Sequence, residues 1–204
     1  MEIKAIVFDL GEVLIKLNFS KIMELKNQSI TSTQVAINRM NEWGLYDAFE
    51  RGKLTEIQFL DCLNQEFSTI FSMHSFRELW NSLLGETVPG TETHLKLLSQ
   101  RYPLFALTNS NETHINFLKS HYPWVQYFES ILSSHELHCR KPEPLIYEKL
   151  ITIAKTPAEQ ILFLDDRMEN IRGAREMGIQ AAHCPNPETD IPKILKQFSI
   201  QQIL

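Results

Sequence analysis

The sequence predicts an α/β fold: a doubly wound parallel sheet with an inserted helical subdomain. Three observations point there. Short apolar runs end abruptly in polar residues, the pattern of strands buried on both faces of a parallel sheet. Helix-periodic segments follow these runs, and strand–helix alternation builds a doubly wound sheet. Residues 19–86 interrupt the alternation with several amphipathic patterns and no clear strand, as an inserted layer of helices would.

The first run, Ile3 to Phe8 (IKAIVF), is closed by Asp9 and Gly11. Inside the insertion, Thr55-Glu56-Ile57-Gln58 is a capping box that opens the amphipathic stretch LTEIQFLDCLNQEF, its two polar side chains satisfying free backbone N–H groups at the helix start. Pro89-Gly90 marks a turn back into the main domain. Tyr102 to Leu107 (YPLFAL) runs into Thr108-Asn109-Ser110-Asn111, and Asn111 is of the N-cap type for ETHINFLKS, with Ile115 and Leu118 three apart. Ile131-Leu132 is a shorter strand candidate. Pro142 and Pro144 precede LIYEKLITIA, where Leu145, Ile146, Leu150 and Ile153 have helical spacing. Ile161 to Leu164 (ILFL) ends in Asp165-Asp166, and the following helix runs to Met177 before Gly178, a C-cap residue type. Ile179 to Ala182 is the last strand candidate. The expected division is an α/β core over residues 1–18 and 87–204, with a helical cap over 19–86.

Composition narrows the function. At 204 residues, 43% hydrophobic and 22% charged, the chain suits one soluble domain with a modest insertion. No apolar run exceeds four residues, which excludes a transmembrane helix and a secretory h-region; the first strand starting at residue 3 leaves no room for a leader. The net charge of −5 comes without a basic run, which argues against nucleic acid as a partner. Three widely spaced cysteines, Cys62, Cys139 and Cys184, argue against a disulfide framework. The expectation is a reduced cytoplasmic protein with no membrane partner, a monomer or weak homodimer. No two of the seven glycines lie within four residues of each other, so dinucleotide-binding and Walker glycine loops are both absent.

In an open parallel sheet, ligands bind in the crevice at the carboxyl ends of the strands. The three main runs end there in Asp9, in Thr108-Asn109 and in Asp165-Asp166, and Lys141 stands just before a helix in Arg140-Lys141-Pro142-Glu143. Carboxylates brought together repel, and one stays protonated unless a cation intervenes. Magnesium suits such a site, because it takes oxygen ligands and uses one or two carboxylates beside a substrate phosphate. Lys141 would act as a point charge on phosphoryl oxygens, and Thr108 would donate a hydrogen bond to the same group. Asp9 is then left as a nucleophile that forms an aspartyl-phosphate. The set fits phosphoryl transfer, which depends mainly on positioning and charge neutralisation. Each residue also has a bland reading. Asp9 with Gly11 can be turn chemistry, Lys141 a solvated loop lysine, and Asp165-Asp166 helix N-terminal acids favoured by the macrodipole.

Four segments carry these residues in order: FDLGEVL (8–14), LTNSN (107–111), RKPEPLIY (140–147) and FLDDRMENIRGAREMG (163–178). Through them the chain resembles the haloacid dehalogenase superfamily of phosphatases, over essentially its whole length. The resemblance implies that Asp9 attacks phosphorus and ligates Mg²⁺, with the Gly11 carbonyl as a second ligand. Asp166 would be the metal-binding acid of the last motif, Asp165 a ligand or neighbour beside it, and Asn170 a support for the metal. Thr108, Asn109 and Lys141 would bind phosphate, Asn109 also orienting its loop. The implied activity is hydrolysis of a small phosphorylated metabolite, a sugar phosphate above all. The FDLG-x-V pattern with FERG (49–52) is similar to a bacterial subgroup that includes an α-glucose-1-phosphate phosphatase.

One position departs from the family. Most of its phosphatases carry Asp two residues after the nucleophile as general acid; here that residue is Gly11. Such an acid contributes roughly 10²–10⁴-fold. A substrate hydroxyl, a cap residue or water would have to supply the proton, and the alternative is a catalytically silent binding or regulatory protein of the same fold. In the cap, Tyr46, Glu50, Arg51 and Trp80 are the substrate-facing candidates, against a core role for the aromatics and a solvated salt bridge for the charges. His135, His138, Cys139, His183 and Cys184 are zinc-ligand types, but their spacing matches no compact zinc motif.

Overall fold

The computed structural model describes residues 2–18, 44–67 and 70–200. The chain begins with β1 (Ala5–Phe8) and β2 (Ile15–Leu17), and the described residues continue with helices α1 (Leu45–Glu50), α2 (Glu56–Phe67) and α3 (Met73–Asn81). Next come β3 (Leu84–Thr87), α4 (Thr91–Ser99), β4 (Leu104–Thr108), α5 (Glu112–His121), β5 (Ser130–Ser133) and the short α6 (Ser134–Leu137). The chain then forms α7 (Pro144–Ala154), β6 (Ile161–Asp165), α8 (Met168–Glu176), β7 (Gln180–His183) and α9 (Pro187–Gln197). Five strands pair in parallel in the order β5-β4-β1-β6-β7. The chain therefore works outward from central β1 on one side, then on the other, and the crevice at the switch point opens above β1.

Every residue of β1 is fully buried, as the apolar run predicts. Ile6 and Phe8 join a layer with Leu95, Leu98, Leu118 and Ile191 from α4, α5 and α9. Ala5 and Val7 join the opposite layer with Ile146, Leu150, Ile171 and Ala174 from α7 and α8. Each buried Val, Leu, Ile or Phe side chain among them contributes about 1.5–3 kcal/mol through its removal from water. Gly173 lets α8 approach the loop before α7; a Cβ there would lie 2.7 Å from the Pro142 carbonyl oxygen.

A third cluster belongs to the helical layer. Phe49 stacks on Phe59 with centroids 4.2 Å apart, and Trp80 closes the group at 5.1 Å from Phe59 and 5.6 Å from Phe76. The capping box forms as read, with Thr55 N–H donating to Gln58 Oε1 (2.9 Å) and Gln58 N–H to Thr55 Oγ1 (3.3 Å). The expected helical stretch 19–86 is corrected at its end. Residues 84–87 are a strand, β3, antiparallel to β2, so a small ribbon flanks the segment between them. The part of that stretch over 19–43 lies outside the described residues. No helix of the described residues is long and apolar enough to cross a membrane.

Candidate active site

Three central strands deliver side chains to one point. β1 ends at Asp9, whose N–H still donates to the Leu164 carbonyl at 2.9 Å. Beyond it the chain turns around the Leu10 carbonyl, which accepts from Leu14 and Ile15 N–H. Glu12 sits in the left-handed region (φ 57°) and its carboxylate accepts the Leu17 N–H at 2.9 Å, away from Asp9. β4 contributes Thr108 and the adjoining Asn109, and β6 ends at Asp165.

Lys141 stands at the centre. It is 4% exposed, with Nζ 2.8 Å from Asp9 Oδ1 and 2.7 Å from Asp165 Oδ2. Burial opposes its charge, but the two carboxylates outweigh that and hold the ammonium above its usual range. Burial pushes Asp9 up, and the Lys141 ammonium pulls against it. Asp9 Oδ1 also accepts the Leu10 N–H at 2.7 Å, so two donors hold Oδ1.

Asp165 is fully buried and its oxygens are spoken for. Oδ1 accepts the Arg167 N–H (2.8 Å), Asn170 Nδ2 reaches both oxygens (2.9 and 3.0 Å), and Lys141 takes Oδ2. Asn170 is itself fixed by the Tyr147 hydroxyl, which donates to its carbonyl at 2.8 Å. Asp166, by contrast, has no ion pair among the described residues, and burial followed by the charge of Asp165 pushes its carboxyl up. Asn109 lines the pocket beside Thr108. Its Oδ1 accepts the Lys141 N–H (2.9 Å) and its Nδ2 donates to the Lys141 carbonyl (3.0 Å), so the amide clamps the lysine's main chain.

Asp9, Asp165 and Asp166 can each offer an oxygen within 4.8 Å of the others. The Gly11 carbonyl accepts no backbone N–H among the described residues; the bridge beside it uses Leu10 O and Glu12 N. This all-oxygen donor set fits a hard divalent cation. The zinc-type residues fall at opposite edges, with His135, His138 and Cys139 after β5 and His183 and Cys184 at the end of β7.

A pocket of about 240 Å³ opens over Asp9, Gly11, Thr108, Lys141, Asp166 and Asn170, and Tyr46 and Glu50 from the cap join Arg140 from the core as its polar wall. Arg51 and Trp80 are not among its lining. Arg51 makes a two-pronged pair with Glu143 and a 2.7 Å bond to Asp47, which ties α1 to the core. Trp80 is consumed by the cap's aromatic cluster. Three contributors went unnoticed in the sequence. Arg140 reaches Asp47 and Glu50 at 2.8 Å each. Ser134 Oγ donates to the Glu50 carbonyl (2.6 Å) and accepts the Ser110 N–H (2.9 Å). Tyr147 steadies Asn170. Only Arg140 carried a signal, as the neighbour of Lys141.

A family model for haloacid dehalogenase-like hydrolases matches residues 3–178. The chain belongs to that family. The hydrolase is 23% identical over 185 residues to a D-ribitol-5-phosphate phosphatase of Bacteroides thetaiotaomicron, across 87% of this chain and 90% of that protein. It is 29% identical to a sesquiterpene phosphatase of Aspergillus oryzae, across 88% and 89%. A haloacid dehalogenase family enzyme of Bacteroides thetaiotaomicron, solved with magnesium and inorganic phosphate, is 26% identical with a TM-score of 0.77, across 89% and 93%.

Proposed function

We propose that this hydrolase is a Mg²⁺-dependent phosphatase of small phosphorylated metabolites, with sugar or polyol phosphates as the preferred class. The observation that carries the reading is the convergence of Asp9, Lys141 and Asp166 in one pocket, on a fold whose relatives include phosphatases. Asp9, Asp166 and the Gly11 carbonyl would hold the metal, which when bound neutralises charge on the phosphoryl oxygens. Lys141 adds a second positive charge on the same group, and Thr108 a hydrogen bond. Asp165 keeps the lysine in place. Asp9 Oδ2 attacks phosphorus, the bond to the alcohol oxygen breaks, and water then hydrolyses the aspartyl-phosphate.

The polar wall of Tyr46, Glu50 and Arg140 and the ribitol-phosphate relative support a hydroxylated substrate. Gly11 favours a second reading, a silent phosphometabolite-binding protein. Phosphate release from a panel that includes sugar 1-phosphates and polyol phosphates separates the two. Activity is expected to need Mg²⁺ and to vanish in Asp9→Asn. Full turnover in that variant would sink the nucleophile assignment, and no release from any ester by the Mg²⁺-loaded wild type would leave the binding reading.

A further inference from the structure

With Gly11 in place of the family's acid, the proton for the leaving alcohol must come from elsewhere, and the pocket narrows the choice. Among the described lining residues, Glu12 turns away to the Leu17 N–H. His114 has both ring nitrogens engaged, Nε2 with the Trp80 carbonyl at 2.9 Å and Nδ1 with Asn111 Nδ2 at 3.3 Å. Asp9 and Asp166 belong to the nucleophile and metal set. Glu50 remains. It is 3% exposed on the pocket's cap side, and its Oε2 has no hydrogen bond; Arg140 Nη2 lies 2.8 Å away as an ion pair without hydrogen-bond alignment. Its main chain is anchored through Ser134 to Ser110, just past β4.

Resting on the phosphatase reading, we infer that Glu50 is the general acid and base that replaces the residue missing at position 11. As Asp9 Oδ2 bonds to phosphorus, the electron pair of the breaking P–O bond passes to the alcohol oxygen, which takes the proton from the Glu50 carboxyl. In the second half, the Glu50 carboxylate takes a proton from water as the water oxygen bonds to phosphorus. The bond to Asp9 then breaks, phosphate leaves, and Glu50 is again protonated. The groups facing it are Tyr46 and Asp47 on its own helix, Arg140 and Lys141 from the core. Burial raises its carboxyl above the ordinary range, with Arg140 and the Tyr46 hydroxyl pulling the other way, and an upward shift is the direction a general acid needs.

The test compares an alkyl or sugar phosphate with 4-nitrophenyl phosphate, whose phenolate leaves without a proton, using the full chain with Mg²⁺. Glu50→Gln is expected to lower kcat on the alkyl ester roughly 10²–10⁴-fold, to cost less than about tenfold on the nitrophenyl ester, and to abolish the alkaline fall of the pH profile. Gly11→Asp added to Glu50→Gln is expected to restore alkyl turnover at least about tenfold. The site has room, since a Cβ at position 11 meets nothing closer than Leu17 Cδ1 at 3.5 Å. Equal losses on both esters, or none, would overturn the inference. Gly11→Asp in the otherwise native chain gives an answer even if Glu50→Gln does not fold. A gain under about tenfold on the alkyl ester supports a working acid already present, and a gain of about 10²-fold or more overturns it. Wild-type protein that hydrolyses neither ester overturns the phosphatase reading itself.

Discussion

At Lys141 one buried ammonium holds two carboxylates, and its own position is set by a neighbouring side-chain amide. Asn109 occupies the Lys141 N–H and carbonyl together. Cutting that side chain back in Asn109→Ala leaves both backbone groups without partners in a buried setting, at about 1–3 kcal/mol for each. The variant is expected to lose stability of that size in urea unfolding. Its phosphate release should fall at least about tenfold, since misplaced groups cost rate steeply. Unchanged turnover would show that Lys141 is held well enough by Asp9 and Asp165. The ends of the runs were legible as chemistry because a charge at the close of an apolar strand has few structural reasons to be there. Asn109 was legible as a site residue that orients its loop, but the groups its amide holds were not. Its partners lie 32 residues away, and no local pattern encodes which way a side-chain amide turns.

The α1–α2 turn shows the same boundary between local and tertiary information at the level of an element. The capping box and the Asn111 cap announce themselves in four residues, because both partners of each hydrogen bond are close in sequence. β2 and β3 do not. They are three and four residues long, and each is a strand only through the other. Helical rotation is equally silent about direction, so neighbours Glu50 and Arg51 part company, one facing the pocket and the other Glu143. What fixes this turn on the core is Gly52. It has φ 64°, and a Cβ there would lie 2.3 Å from the His135 carbonyl oxygen. Beside it, His138 Nδ1 pairs with the Arg51 carbonyl at 2.9 Å. Gly52→Ala is expected to cost about 1–3 kcal/mol from the left-handed backbone alone, with the clash added, and to lift Glu50 off its Ser134 anchor. Thermal melts and turnover should therefore fall together. A variant as stable and active as wild type would show that the turn has a second seat.

Over the whole molecule, the pocket exists because a helical layer is seated on the sheet crevice, and the seat is a buried histidine. His114 of α5 stacks on Trp80 of α3 at 5.7 Å, donates Nε2–H to the Trp80 carbonyl and accepts from Asn111 through Nδ1. Glu56 of α2 adds a 2.9 Å bond from Thr113. The fold class was readable without these contacts, since alternation of runs fixes the sheet; the docking was not, because nothing in a helical pattern marks His114 as a seat rather than a surface residue. Burial drives its ring from the usual 6.5 down to about 4. Between those values the unfolded chain binds a proton that the folded chain refuses, so the contribution is complete above about pH 6.5 and is lost as pH falls towards 4. Across that interval the loss amounts to about 3 kcal/mol. Carboxylates titrate in the same range, and His114→Gln separates them. The stability advantage of wild type over the variant, from urea unfolding at pH 7 and near pH 4.5, should shrink by most of that amount. An advantage that stays constant would mean the ring takes its proton as readily in the folded protein, and that the joint between α3 and α5 is open to water.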